Sequence, residues 1–546
     1  MVSTTGKRIT YIVLGTLLGL LTGINGAYAA DYHVGPEQNL KSLEEVNWSS
    51  LSSGDTVYIH YGTYREKFNL STRGTEANPI RIIGVPDSNG NRPIIDAQNA
   101  VTASSSDFRW QDVGVIQWLG VVSITPGQGE SPPLPGHIEI KNLEIRNGYV
   151  DSTFTGEDGS TSSYNGFAAG IYMRSAQDVL IENCVIHGNG QGVYAWTGAG
   201  DNWWDGLAKN ITIRGNHFYN NGHVDSWTEH QVYIEALNTV YEYNYFGAQR
   251  SGAWGSTIKD RGAGTVVRYN YFDAAPNGWW IDLPEPENGW MALGFSNEAY
   301  SQAFIYGNVF VNNGNYSANY FHWNEDHQAQ GNNGTPGPNG RATIDNGRLY
   351  FYHNTVVTVG NRSDYGYWAS FHLFNTTWGG YDCATEGTRP GVVDVRNNIF
   401  AVIPRTTGSE LPTQQFAYCD DQNFNFGKNL VSAGWDTNTS GTVTGADNLV
   451  TLPAGGDFGF SNLTNRDFRL LEGSPAVGSA SALAQAVTSN FVGADLTPIL
   501  QYEKHQEAAD RATSGAGADM GAYGYTNAVI ISLPNPPPAI RASVQQ

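Results

Sequence analysis

The sequence predicts an all-β chain built as a solenoid of stacked coils, and three observations carry that prediction. β-Branched and aromatic residues cluster in short runs bounded by glycine and asparagine, and leucine-rich helical stretches are scarce. From Ile138 onward an apolar, asparagine, apolar phrase recurs as IKNLEI, IENCVI, IRGNHF, YEYNYF, VRYNYF, IYGNVF, FYHNTV, VRNNIF and FGKNLV. The phrases lie about 26 to about 46 residues apart, as one repeat unit with loops of varying length would place them, so 546 residues need not make several globules. Asn142, Asn183, Asn216, Asn244, Asn270, Asn308, Asn354, Asn398 and Asn429 then occupy equivalent positions. At a tight turn asparagine tolerates the left-handed conformation, and its amide can bond the backbone of the next coil, satisfying polar groups that stacking would bury.

Taken in order, the chain opens with Lys7 and Arg8, an apolar run from Ile9 to Leu21 and a small-residue site at Ala27-Tyr28-Ala29. This pattern predicts a signal peptide over residues 1–29 and a secreted or periplasmic mature protein, with an apolar run too short for a membrane span. The formal charge is −21, and removing Lys7 and Arg8 makes it more negative, which argues against nucleic acid or an anionic membrane as partner. Residues 30–525 are expected to form the solenoid, acting as a monomer, and residues 526–546, with NPPPAI, a proline-rich tail. Cys184 follows Asn183 in an apolar run and reads as a buried thiol, whereas Cys383 and Cys419 lie in loop-like sequence where an oxidising compartment permits pairing. No Cys/His spacing suggests zinc. The repeats are longest at Thr197 to Lys209, Pro284 to Gln302, Asn324 to Arg341 and Thr376 to Gly391, which are expected to be loops on the binding side.

The phrases Gly54-Asp55-Thr56-Val57-Tyr58-Ile59, Gly62-Thr63-Tyr64, Asn78-Pro79-Ile80 and Pro93-Ile94-Ile95-Asp96 resemble the N-terminal coils of secreted right-handed parallel β-helix proteins. DFRLLEGSPAVGSA (467–480) and GADMGAYGY (517–525) resemble the closing phrases of such proteins. The resemblance implies a right-handed, single-stranded parallel β-helix with long loop insertions.

Gln231 to Glu285 holds three alternating runs, QVYIEAL, GSTIKDR and GWWIDLPE. Residues two apart on a strand share a face, so aligning the coils on Met173, Ala195, Ile234, Ile258, Ile281, Phe321 and Phe371 as inward residues predicts two outward rows. One is mostly aromatic: Tyr172, Tyr194, Tyr233, Thr257, Trp280, Tyr320 and Ser370. The other is mostly ionisable: Arg174, Trp196, Glu235, Lys259, Asp282, His322 and His372. Exposed rings spaced one coil apart, ~4.8 Å, could stack on sugar rings or merely stabilise the sheet. Tyr172, Arg174, Tyr194, Trp196, Tyr233, Trp280 and His372 are the expected substrate contacts, with Trp203, Trp204 and Trp227 as a lid.

The segment GSTIKDRGAGTVVRYNYF (255–272) resembles a stretch of the β-helix polysaccharide lyases of the chondroitinase B and alginate lyase type, whose lysine is the Brønsted base. The resemblance implies that Lys259 is that base and an acidic polysaccharide the partner. Those lyases carry an arginine on the following coil, where this chain has Trp280 and Asp282, so Arg261, two residues on and on the same face as Lys259, is the expected group to neutralise a uronate carboxylate, with Arg174, Arg250 and Arg268 as helpers. Those lyases hold Ca²⁺ with two glutamates before the lysine, where this chain has Gly252 and Trp254, which counts against a calcium-assisted mechanism; Glu235 and Asp282 are candidate ligands, and Ca²⁺ binding stays open. Flanking acids would also raise the pKa of Lys259, which opposes its acting as a free base. A second reading takes Glu235 and Asp282, about 9–10 Å apart across two coils, as the acids of an inverting glycosidase, whose carboxyls stand about 6.5–9.5 Å apart, or of an epimerase. A third is a glycan-binding surface on which Glu235, Lys259 and Asp282 are a solvated ion ladder. His322 and His372 could assist as acid or base, and a histidine on a solenoid is also a common packing residue.

Overall fold

A computed structural model describes residues 29–525, apart from 109–112, 129–132, 198–205, 287–296, 314–318, 324–329, 332–334, 337–346, 365–367, 373–390, 418–422, 438, 440, 505–506 and 512–517. The proposed leader up to residue 28, the tail from 526, Trp203, Trp204, Cys383 and Cys419 all lie outside the described residues.

The chain winds as a right-handed parallel β-helix whose faces are sheets of 13, 12 and 14 strands. A single coil shows the logic: Gln177–Glu182 lies in the first sheet, Val185–His187 in the second and Gln191–Trp196 in the third, before Lys209 begins the next coil. Left-handed turn residues end the strands at recurring corners. Asn142 (φ 61°) and Asn183 (φ 54°) take the left-handed conformation at one corner, and Gly215 (φ 62°) takes the same place a coil later.

The interior is filled by aligned side chains. Phe218, Phe246, Phe272 and Phe310 stack coil upon coil with centroids 5.2, 4.8 and 4.5 Å apart. Beside them Asn216, Asn244, Asn270, Asn308, Asn354, Asn398 and Asn429 are fully buried, and each of the first six donates its amide to the next asparagine's Oδ1 at 2.9–3.1 Å. Asn142 and Asn183 stand one residue earlier, at the left-handed corner, so the equivalence of all nine positions needs correcting. The next place in the row belongs to Cys184, whose N–H donates to Asn216 Oδ1 at 2.9 Å. Its buried thiol is pushed up to about 11 by desolvation.

The parallel stack ends at Val443–Thr444 and Leu449–Leu452. Two antiparallel pairs follow, Phe460–Asn462 with Asp467–Leu470 and Leu500–Lys504 with Glu507–Asp510. This C-terminal segment packs on the outside of the coils, Phe458, Met520 and Tyr523 against Tyr271, Val309 and Val357, and Val487 and Leu496 against Tyr269, Tyr306 and Tyr352. Among the described residues no helix is long and apolar enough to cross a membrane.

Candidate active site

The 14-stranded sheet carries the site on β1 (Gly120–Ile124), β2 (Ala169–Arg174), β3 (Gln191–Trp196), β4 (Val232–Ile234), β5 (Ile258–Asp260), β6 (Trp279–Leu283), β7 (Asn319–Trp323) and β8 (Trp368–His372). The four long insertions all leave from the ends of its strands, after Trp196, Leu283, Trp323 and His372.

Its register corrects the alignment read from the sequence. Tyr172 pairs with Tyr194, Tyr194 with Tyr233, Tyr233 with Lys259, Lys259 with Asp282, Asp282 with His322 and His322 with His372. The aromatic and ionisable rows are therefore two halves of one row. Ile258 lies beside Val232 and Asp260 beside Ile234, two residues from the expected match. A shift of two keeps every side chain on its own face, so alternation cannot detect it. What permits it is Asp260, an inward carboxylate accepting from Tyr241 Oη at 2.9 Å and from the Gly262 N–H at 2.6 Å.

The shift removes Glu235 from the row. It lies just beyond β4, is 2 % exposed, and its N–H donates to Ala195 O at 2.9 Å. The register thus sets Tyr233, and not Glu235, in the row with Lys259 and Asp282. Asp282 has both oxygens engaged: Oδ2 meets Lys259 Nζ at 3.2 Å, and Oδ1 accepts from His322 Nδ1–H at 2.6 Å. A hard divalent cation needs several free oxygens, and among the described residues no group of three or more His, Cys, Asp or Glu side chains could supply them. The described residues around Lys259 do not fit Ca²⁺.

Arg261 shares the face of Lys259 as expected but is buried, 1 % exposed. Its Nε donates to Tyr233 Oη at 3.0 Å and its Nη1 to Glu285 O at 2.7 Å, with Glu285 Oε1 at 3.4 Å. Tyr233 is thus held from one side by a guanidinium. On another, the His230 ring packs edge-on at 5.3 Å, with its Nδ1 accepting the Ser256 N–H at 2.8 Å. The Ser256 hydroxyl also lies 3.5 Å from Asp282 Oδ2, and Trp279 stacks on His322 at 5.0 Å. Sequence reasoning gave Tyr233 only a sugar-contact role and passed over Ser256, Asp260, Trp279 and Glu285. GST and WWID are ordinary strand sequences, and only the register brings these residues together.

The expected sugar platform also needs correction. Trp280 is fully buried in the core, stacked on Tyr320 at 4.5 Å with its Nε1–H donated to Ala274 O. Tyr172 is buried beneath Phe108 and Ile116. Tyr194 and Tyr233 are half-buried and lie face to face, 5.2 Å apart and 21° from parallel, so they turn edges outward. Arg174 stacks on Trp196 at 4.8 Å. Neither other arginine joins the row: Arg250 lies 3.7 Å over the Tyr149 ring, and Arg268 pairs with Glu242 at 2.6 Å. Trp227 is 58 % exposed and packs edge-on against Trp254, 4.9 Å away.

A denser charge cluster lies on the 13-stranded sheet, where Lys141, Glu182, Arg214, Glu242 and Arg268 line an open cleft of about 640 Å³. Its charges alternate and pair one with the next as an ion ladder, partly exposed at its cations and buried at Glu242. The Lys259 cluster differs in kind: beside its ion pair it sets a tyrosine and a buried histidine in the same row, on the sheet whose strand ends carry the long insertions. Burying ion pairs is expensive for stability alone, so such a cluster marks a candidate site.

Fold and row together define a right-handed parallel β-helix with one tyrosine–lysine–aspartate–histidine row on a single sheet. A family model described as "Right handed beta helix region" matches residues 135–356. Among solved structures, the chain is similar to an alginate lyase from Paenibacillus sp. str. FPU-7, with 14 % identity, 70 % of this chain and 94 % of that one covered, and a TM-score of 0.39. It is also similar to pectate lyase Pel9A (11 % identity, 91 % and 96 % covered, TM-score 0.37) and to a GH136 lacto-N-biosidase from Eubacterium ramulus (13 %, 74 % and 68 %, 0.36). These likenesses stop short of function. No curated protein matches the sequence.

Proposed function

We infer that this protein is a polysaccharide lyase that cleaves a uronate-containing polymer by β-elimination. The observation that carries the reading is the neighbouring pair on β4 and β5: a tyrosine whose oxygen receives a guanidinium N–H at 3.0 Å, and a lysine held by Asp282 at 3.2 Å. A cationic donor stabilises phenolate charge on Tyr233, and an anionic partner stabilises the ammonium form of Lys259. The two groups therefore divide the roles in the sense opposite to the one the lyase resemblance implies.

Tyr233 as phenolate takes the proton from C5, beside the uronate carboxylate. The electron pair forms the C4–C5 double bond, the C4–O4 bond breaks, and the departing O4 receives a proton from Lys259. The ammonium also faces the carboxylate whose charge must be offset for C5 to become acidic. Asp282 and His322 position the lysine; Arg261, Glu285 and His230 position the tyrosine. The row itself supplies the cation, in a protein whose formal charge is −21. The leader sequence supports export, which brings the enzyme to polymers outside the cytoplasm.

The test is to mix the purified protein with alginate, pectate, chondroitin and related uronans and follow ultraviolet absorbance of the new double bond. Rising absorbance, reduced by about 10²–10⁴-fold in Lys259→Ala and Tyr233→Phe, is the expected result. Reducing ends without absorbance would mean hydrolysis, and retention on polymer without either product would mean a binding protein; both contradict the reading.

A further inference from the structure

Among the described residues, exposure along the catalytic row is confined to a short window. Asn69, Ser123 and Tyr172 are 0 %, 1 % and 0 % exposed and stand in register on successive strands. Their cover at Tyr172 is built: the helix Val113–Leu119 runs directly into β1, and Ile116 from it and Phe108 before it close over the Tyr172 ring. Tyr194 and Tyr233 are half-buried and the Lys259 side chain keeps 11 % exposure, whereas Asp282 and His322 are closed off. Three coils at about 4.8 Å each leave a window little longer than a disaccharide.

We propose that the enzyme acts on chain ends, releasing short unsaturated products, with the wall of Phe108 and Ile116 over Tyr172 setting how many sugar units enter on that side. A polymer lying along the row cannot pass Tyr172 without displacing this apolar cover, so its end must stop near Tyr194. The cover is apolar packing on Tyr172 with Tyr194 at its edge, so its role is to set length. This proposal rests on the lyase reading above.

The experiment follows viscosity and absorbance together while the intact protein degrades a long uronan, with products sized at early times. Small products from the first turnovers, with viscosity falling slowly against absorbance, are expected. Early products of many sizes with a rapid fall in viscosity would overturn the proposal while leaving the lyase reading intact. No absorbance with any uronan would remove the lyase reading, and this proposal with it. Phe108→Ala combined with Ile116→Ala should open the wall and shift early products to longer chains at similar initial absorbance rates. An unchanged size distribution in a variant that keeps its circular dichroism spectrum would also overturn the proposal.

Discussion

At the scale of single residues, the site depends on Arg261 reaching two partners in fixed directions, Tyr233 Oη and Glu285 O. A lysine there keeps the charge but loses the planar fork, so Arg261→Lys should lower kcat by about tenfold or more while KM changes little. A raised KM with kcat unchanged would show that Arg261 serves binding instead. Cys184 gives a second residue-level expectation. Its thiol, pushed up to about 11 by burial, should resist alkylation in the native protein at pH 8 and react only on unfolding, as peptide mapping by mass spectrometry can show. The sequence made Cys184, Lys259, Asp282 and His322 legible, because residue type and neighbours suffice for a buried thiol or a row of ionisable groups. The pairing of Tyr233 with Lys259 was beyond it, since Val232 and Ile234 are equally apolar and either could face Ile258.

At the scale of elements, the asparagine row is what joins coil to coil. Asn270 sits at its centre, its amide donating to Tyr241 O, Arg268 O and Asn308 Oδ1, all at 2.9 Å, while its Oδ1 accepts the Asn244 N–H at 3.0 Å. Asn270→Ala strands several buried polar groups at once and should cost at least about 2–3 kcal/mol, measured by denaturant unfolding. A loss below about 0.5 kcal/mol would mean that water replaces the amide and that the row contributes little. The repeating phrases made this element readable in outline. The corner occupied by Asn142 and Asn183 was not separable from it, because asparagine suits both a left-handed turn and a buried amide ladder. The C-terminal pairs after Leu452 left no periodic signal, since they pack on the outside of the coils.

At the scale of the whole molecule, the C-terminal segment is docked through a buried polar contact. Arg511 Nη2 donates to His353 Nδ1 at 3.3 Å and to Asp519 O at 2.8 Å, while Asn397 lies 3.2 Å from the other ring nitrogen. Burial first, and then the Arg511 charge, hold His353 well below its usual value of 6.5. The unfolded chain therefore binds a proton that the folded chain refuses. This contribution is complete above about pH 6.5 and falls as pH drops below it. Thermal unfolding should show a loss of stability from pH 7 to pH 5 that shrinks in His353→Gln, and an identical slope in the variant would refute the assignment. The stacking that fixes this docking also fixes the register of the catalytic row, and on that register rests the central claim that Tyr233 and Lys259 act together. The most direct measurement is kcat/KM on a uronan for Tyr233→Phe, Lys259→Ala and the double variant. The claim predicts that each single change removes nearly all turnover and that the double variant is little worse than either. Losses that multiply, or a Tyr233→Phe variant close to wild type, would contradict it.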